Sequence, residues 1–284
     1  MTRIVYLNGA WLPETEAKVS IFDRGFTMAD AIYEVTCVLD GMLIDYAPHA
    51  ARLKRSAAAL GIPVPLSDEN LLEAHRQIVA MNKLDQGMVY LQLTRGEQDR
   101  DFVYPPEDTP PTLVMFTQAK NALKNPAAER GIKVATVPDL RWGRRDIKTV
   151  QLLYPSMAKM EAKARGCDDA WLVEDGVVTE ASSATAHIVA GGKLVTRELS
   201  HALLPGVTRA GVLELARRHG LEIEERAFSV AEARAADEAF ITSATNFVLP
   251  VVSIDGATIG SGRPGPVARD LRQLYIDTRR AAAI

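Results

Sequence analysis

Cysteine is nearly absent from this chain of 284 residues, with Cys37 and Cys167 its only two. Two isolated thiols form neither a disulfide framework nor a zinc-binding spacing. That excludes the small cross-linked secreted class and makes a reducing cytoplasm the expected location. Long apolar runs are missing as well. Nothing approaches the roughly 20 residues that a membrane helix needs, and no membrane association is expected. The first twelve residues carry polar side chains throughout, so no signal peptide is expected. A net charge of -3 offers no general attraction for nucleic acid, which is not expected as a partner. The nucleotide-binding patterns are absent too: there is no GxxxxGK[ST], and no GxGxxG follows a strand. His49, His75, His187, His201 and His219 show no ligand spacing such as HxxxH, so no metal site is expected.

What is present is an ordinary globular composition, 47% hydrophobic and 24% charged, in a chain long enough to bury a sizeable core. Asn8-Gly9, Asp40-Gly41, Asp175-Gly176 and Gly191-Gly192 predict hairpins, and Asp255-Gly256 predicts a turn of the chain. Helices are predicted from Pro48 to a stop at Gly61, from an N-cap at Ser67 to about Asn82, and over 155–165, 208–219 and 266–283. Ser229 and Glu232 have the capping-box spacing for a short helix. Strands are predicted over 88–95, 112–116, 132–137, 238–242 and 247–254. So many hairpins do not suit a regular doubly wound sheet, and the expected class is α/β (α+β) with antiparallel-rich sheets. The polar stretch 119–130, with Asn125-Pro126, is the predicted linker between a smaller N-terminal α/β domain over 1–118 and a larger C-terminal domain over 131–284.

Four stretches could carry chemistry. Lys148 lies in Asp146-Ile147-Lys148-Thr149-Val150-Gln151-Leu152-Leu153, where Ile147, Val150, Leu152 and Leu153 favour the interior. A lysine there either snorkels to water or sits in a polar pocket as an amine able to form a Schiff base. Glu180 ends an apolar strand and is followed by Ala181-Ser182-Ser183-Ala184, residues small enough to admit a flat ligand; its alternative is a solvated carboxylate. Leu204-Pro205-Gly206-Val207-Thr208-Arg209 leads into a helix whose first N–H groups could receive a phosphate, or it is merely a helix start. Thr242-Ser243-Ala244-Thr245-Asn246 could add donors to the same anion, or be only a polar turn. Together, an amine, a carboxylate and a phosphate cup are the three handles that pyridoxal phosphate requires.

The chain resembles the fold-type IV pyridoxal-phosphate aminotransferases, most closely the bacterial D-amino-acid branch. The likeness runs through Asp23-Arg24-Gly25, Asp30-Ala31-Ile32-Tyr33-Glu34-Val35, His49-Ala50-Ala51-Arg52-Leu53, Thr94-Arg95-Gly96, Asp146-Ile147-Lys148, Val178-Thr179-Glu180-Ala181-Ser182-Ser183, Leu204-Pro205-Gly206-Val207-Thr208-Arg209 and Thr242-Ser243-Ala244-Thr245, in order along nearly the whole chain. It implies a two-domain fold with the cofactor in the interdomain cleft of a homodimer that shares its active sites. It also implies that Lys148 holds pyridoxal 5'-phosphate as an aldimine and that Glu180 pairs with the pyridinium nitrogen. Leu204 would pack on the ring. Arg52, Val207, Thr208, Ser243 and Ala244 would hold the phosphate. Tyr33, Arg100 and Phe102 would face the substrate. The implied reaction is transamination from a D-amino acid to a 2-oxo acid, 2-oxoglutarate or pyruvate, by way of pyridoxamine phosphate.

Three departures bear on substrate range. The D-amino-acid branch carries an arginine and, two residues on, a histidine that trap the substrate carboxylate; here Arg100 is kept and Phe102 replaces the histidine. Ala244 replaces a hydroxyl residue, and Thr185 stands where asparagine is common. Same-fold alternatives are an (R)-selective amine transaminase, a branched-chain L-aminotransferase and aminodeoxychorismate lyase. A non-catalytic phosphate-binding protein is the alternative of a different class.

Overall fold

The computed structural model describes residues 2–284, which divide into two compact units. The first comprises residues up to Ala122 together with Ile147–Gln151 and Ala282–Ile284. Its elements are β1 (Ile4–Leu7), β2 (Ala10–Pro13), α1 (Arg24–Met28), β3 (Ala31–Leu39), β4 (Met42–Leu43), α2 (Tyr46–Leu60), α3 (Asp68–Met81), β5 (Gly87–Thr94) and β6 (Thr112–Ala119). The six strands form one antiparallel sheet in the order β2-β1-β6-β5-β3-β4, with Tyr33 opposite Gln92 and Val35 opposite Tyr90. Helix α2 packs on β3, and α3 packs on β1, β5 and β6. Leu71, Ile78 and Val79 on the inner stripe of α3 are buried, each worth roughly 1.5–3 kcal/mol relative to exposure. Ser67 caps α3 by accepting from Asn70 N–H, and Gly61 ends α2 with a φ of 62°.

The second unit comprises Leu123–Asp146 and Leu152–Ala281. It contains α4 (Pro126–Arg130), β7 (Ile132–Pro138), α5 (Leu153–Ala164), β8 (Asp169–Glu174), β9 (Val177–Ala181), β10 (Thr185–Ala190) and β11 (Lys193–Thr196). The chain continues with α6 (Val207–Arg218), β12 (Ile223–Glu225), α7 (Val230–Ala235), β13 (Glu238–Ser243), β14 (Phe247–Ile254), β15 (Ala257–Thr258) and α8 (Pro266–Ala281). Its sheet runs β12-β11-β10-β13-β14-β7-β8-β9, with β15 on β14. The β11–β12, β14–β7 and β7–β8 pairs are parallel and the rest antiparallel. Helices α6 and α8 pack on each other and on β13, while α5 covers β7 and β8. Trp171, Phe228, Ile188 and Ile241 are in the buried core.

The four predicted hairpins form, and the turn at Asp255-Gly256 closes a fifth onto β15; both turn residues of each are at positive φ, the geometry that Asn-Gly, Asp-Gly and Gly-Gly permit. Four local details differ from expectation. The stretch 119–130 is not a continuous linker, because Asn125 caps α4 and Pro126 opens it. The contacts also group Lys148 with the first unit rather than with 131–284, since Ile147–Gln151 pairs onto β3. Helix α5 starts at Leu153, two residues before the proline taken as its opening. In the capping-box pattern Ser229 accepts from Glu232 N–H as expected, but the Glu232 carboxylate pairs with Arg226. Among the described residues no helix is long and apolar enough to cross a membrane.

Candidate active site

The predicted functional residues fall into two sets, one in each unit. In the first, the segment carrying Lys148 is fastened to β3 by its backbone. Tyr33 N–H donates to the Lys148 carbonyl at 3.0 Å, and Val150 N–H donates to the Ala31 carbonyl at 3.1 Å. Thr149 bridges Ile32, and Lys148 N–H donates to Ser56 Oγ at 3.3 Å. With both flanks held, the lysine side chain is presented from a fixed backbone. Its Nζ lies 4.1 Å from the centre of the Tyr33 ring, a cation–π distance. Tyr33 itself stacks on Tyr90, and Tyr90 on Phe116, so the ring beside the amine is backed by two others.

Arg52 is buried on α2 and gives two hydrogen bonds to Glu34 on β3, at 2.7 and 2.8 Å. The ring nitrogen of His49 lies 2.8 Å from the same carboxylate. Burial pushes the Glu34 carboxyl up, but Arg52 and His49 outweigh it and hold the group well below the usual carboxylate range. The expectation for Arg52 named a phosphate clamp; within its unit the guanidinium is oriented by Glu34. Arg100 and Phe102 lie in the loop after β5, with the Arg100 guanidinium 5.3 Å from the Phe102 ring centre. Phe102 is exposed.

In the second unit, Glu180 on β9 is buried and both of its oxygens are engaged. Oε2 lies 2.6 Å from Arg141 Nη1, and Oε1 accepts from Leu204 N–H at 3.1 Å. Full burial pushes the Glu180 carboxyl up from its ordinary value, opposed by the Arg141 charge and by these hydrogen bonds. Arg141 in turn is gripped by Asp139, at 2.9 and 2.7 Å. Its own affinity for a proton is raised, because the two carboxylates outweigh its burial. Thr179 Oγ1 also donates to Asp139, at 2.6 Å. A guanidinium gripped by Asp139 and by Glu180 gives the buried Glu180 carboxyl a hydrogen-bonded charge partner that opposes the effect of burial. Sequence reading singled out Glu180 but missed Asp139 and Arg141; Arg141 opens a basic run just before Lys148, and Asp139 carried no signal of its own.

The Glu180-bound Leu204 lies two residues before Gly206, the N-cap of α6. No side chain caps this helix start, and its first turn has no acidic residue. A Cβ on Gly206 would lie 2.9 Å from Thr185 Oγ1, so a side chain there would press on that hydroxyl. Thr185 pairs with Thr242 across β10 and β13, which brings the turn after Ser243 to the same end of the unit. Ser243 Oγ is buried with no hydrogen-bond partner among the described residues. Uncapped N–H groups at Val207 and Thr208, the positive end of a twelve-residue helix and an orphaned buried hydroxyl suit a phosphate. Behind Thr242, His187 lies buried, 3.0 Å away through Nε2, and burial pushes its pKa down to about 3, so it contributes no charge near neutral pH.

The chain matches the amino-transferase class IV family over residues 31–254. A D-alanine aminotransferase of Bacillus licheniformis is 38% identical over 270 residues, covering 94% of each protein. Among solved structures, the T.th. branched-chain amino acid aminotransferase with pyridoxamine 5'-phosphate superposes with a TM-score of 0.90 at 27% identity, covering 99% of this chain and 95% of that one. The branched-chain aminotransferase of Thermoproteus uzoniensis with norvaline gives 0.86 at 26% identity, covering 97% of this chain and 93% of that one.

Glu34→Gln is expected to cost about 3 kcal/mol at pH 7, because it removes the buried carboxylate that Arg52 and His49 both engage. Glu34 titrates lower in the folded than in the unfolded chain, so its contribution is present above the unfolded value and lost as pH falls. Below about pH 4 the difference from wild type should shrink by about 1.4 kcal/mol per pH unit. Urea unfolding of both proteins at pH 7 and pH 3 checks this; a gap that is constant or widens in acid contradicts it.

Proposed function

The chain belongs to the class IV aminotransferase family, and from that premise we propose that it is a pyridoxal-phosphate-dependent D-amino-acid transaminase. It would move the amino group of a D-amino acid to 2-oxoglutarate or pyruvate. The observation that carries the D-amino-acid reading is the 38% identity to a D-alanine aminotransferase across nearly the whole of both chains. The donor set fits the cofactor: a buried, arginine-paired carboxylate for the ring nitrogen, an uncapped helix start with an unpartnered serine hydroxyl for the phosphate, and a half-buried lysine.

When bound, pyridoxal phosphate supplies an electrophilic carbon for the amine and a ring that accepts the electron pair left at the donor's α-carbon. Lys148 would hold that carbon and, once freed, its amine would serve as the base that takes the α-proton and later returns it. Glu180, held by Arg141, would accept the ring N–H and so stabilise charge drawn into the ring. Leu204 would pack on the ring while its N–H fixes Glu180. Arg52, Val207, Thr208, Ser243 and Ala244 would hold the phosphate. Tyr33, beside Lys148 Nζ, would line the substrate side, and Arg100 would bind the carboxylate.

A homodimer and a cytoplasmic location belong to this reading. Leu153, Met157 and Met160 form an exposed apolar stripe at helical spacing on α5, and Phe26 and Phe102 are exposed in the first unit. Apolar surface of this kind supports a protein partner, here a second copy. Both cysteines are free thiols, in keeping with a reducing compartment.

The purified protein should be yellow, and borohydride should fix the cofactor on Lys148, located by peptide mass spectrometry; a colourless protein that pyridoxal phosphate does not reconstitute would overturn the proposal. D-alanine should bleach the yellow band rapidly, L-leucine and (R)-phenylethylamine slowly. Rapid bleaching by L-leucine alone points instead to a branched-chain enzyme, and by the amine alone to an amine transaminase. Arg100→Ala should raise KM for D-alanine about tenfold or more, the loss of one charge-assisted contact, and leave the amine unaffected; equal effects remove Arg100 from carboxylate binding. Light scattering should give twice the chain mass, and a fully active monomer would refute the shared-site dimer.

A further inference from the structure

The turn from β13 to β14 is held from one side by a cation on α8. Arg272 Nη1 donates to the carbonyls of Asn246, at 2.5 Å, and Val248, at 2.9 Å. The residue between those two acceptors, Phe247, has a φ of +57°. Ser243 pairs with Phe247 and Thr242 with Val248, so residues 244–246 make a three-residue connection followed by a left-handed residue. Glycine is the ordinary occupant of that position, since a Cβ is unfavourable there. A phenylalanine persists because its ring is buried against Tyr275, at 5.8 Å between centres, and lies 5.6 Å from the Arg272 guanidinium carbon.

We infer that Arg272 is a positioning residue for cofactor binding: by holding the Asn246 and Val248 carbonyls and pinning Phe247, it sets the shape in which Ser243 and Ala244 meet the phosphate. Carbonyls engaged by Arg272 are not presented to an incoming anion, where they would repel it. The guanidinium also adds positive charge next to the turn. The left-handed backbone at Phe247 makes the turn conformation one that must be maintained by its surroundings, and Arg272 contacts it on both sides of that residue. This inference rests on the reading of residues 243 and 244 as part of the phosphate site.

The test is titration of the cofactor-stripped protein with pyridoxal phosphate and with pyridoxal, which lacks the phosphate. Arg272→Met should weaken pyridoxal phosphate binding about tenfold or more, the loss of a charge-assisted contact pair, while pyridoxal binding stays within about twofold of wild type. Arg272→Lys, which retains the charge and donors, should restore most of the loss. Should Arg272→Met not fold, Arg272→Gln, with an amide donor in its place, carries the same comparison. Equal weakening of both ligands would make Arg272 a merely structural residue and overturn the inference, as would no weakening of either. Ser243→Ala serves as the reference: if it discriminates between the two ligands and Arg272→Met does not, only this inference fails. If Ser243→Ala leaves both affinities unchanged, the phosphate-site reading itself fails.

Discussion

The contact on which the second unit's chemistry depends is the buried ion pair between Glu180 and Arg141. Removing a carboxylate and a guanidinium from water costs several kcal/mol per ion, and attraction alone rarely offsets it. Here the remaining hydrogen-bonding capacity is used. Asp139 takes the other edge of Arg141, Thr179 donates to Asp139, and Leu204 N–H donates to Glu180. Charge placement and chain path are thereby the same problem. The network ties β9, the loop after β7 and the segment entering α6 into one arrangement. Glu180 cannot shift without disturbing Leu204, and Leu204 is two residues from the helix start that would receive a phosphate. A single buried pair therefore fixes a carboxylate and, through the Leu204 backbone, the segment that enters α6.

The first unit solves the opposite problem, how to present a cation without burying it. Lys148 is half-buried, its neighbours Ile147 and Thr149 are buried, and its backbone is clamped to β3. Precision lies in the main chain, while the side chain is left to an aromatic face. Glu34, Arg52 and His49 show the reverse, with side chains that are mutually satisfied and rigid.

The hairpins were legible because Asn-Gly and Asp-Gly encode positive φ within two residues, and helix ends were legible from Ser67 and Gly61 for the same local reason. Helix α1 was not, because five residues capped by Asp23 leave no apolar period to detect. Lys148 and Glu180 stood out only when weak features were combined. The partners that give them meaning were invisible: Arg141 lies 39 positions from Glu180, and Arg272 lies 26 from Asn246. Charged residues carry no periodicity that forecasts which distant group they meet, so a basic run such as Arg141-Trp142-Gly143-Arg144-Arg145 reads as surface until the fold distributes it. Of its arginines, Arg141 and Arg145 turn inward to Asp139, Glu180 and Glu174, and Arg144 stays outside on Asp146.

The same contrast separates the Glu180 network from the loop that bears Arg100. Glu180, Arg141 and the start of α6 are held by hydrogen-bonded neighbours, so substitutions there disturb a connected set. The loop bearing Arg100 is built differently. Its root is fixed, with Arg24 donating to Gln98 and to the Asp101 carbonyl, and Arg95 stacked 3.7 Å from the centre of the Tyr104 ring. Its outer face, Phe102, Val103 and Tyr104, is exposed. An anchored root with an exposed rim lets residues such as Phe102 change with little cost to the fold, because surface positions seldom contribute more than about 0.5 kcal/mol. The rim of this loop can thus change one residue at a time, whereas Glu180 and the segment entering α6 are coupled through the Leu204 backbone.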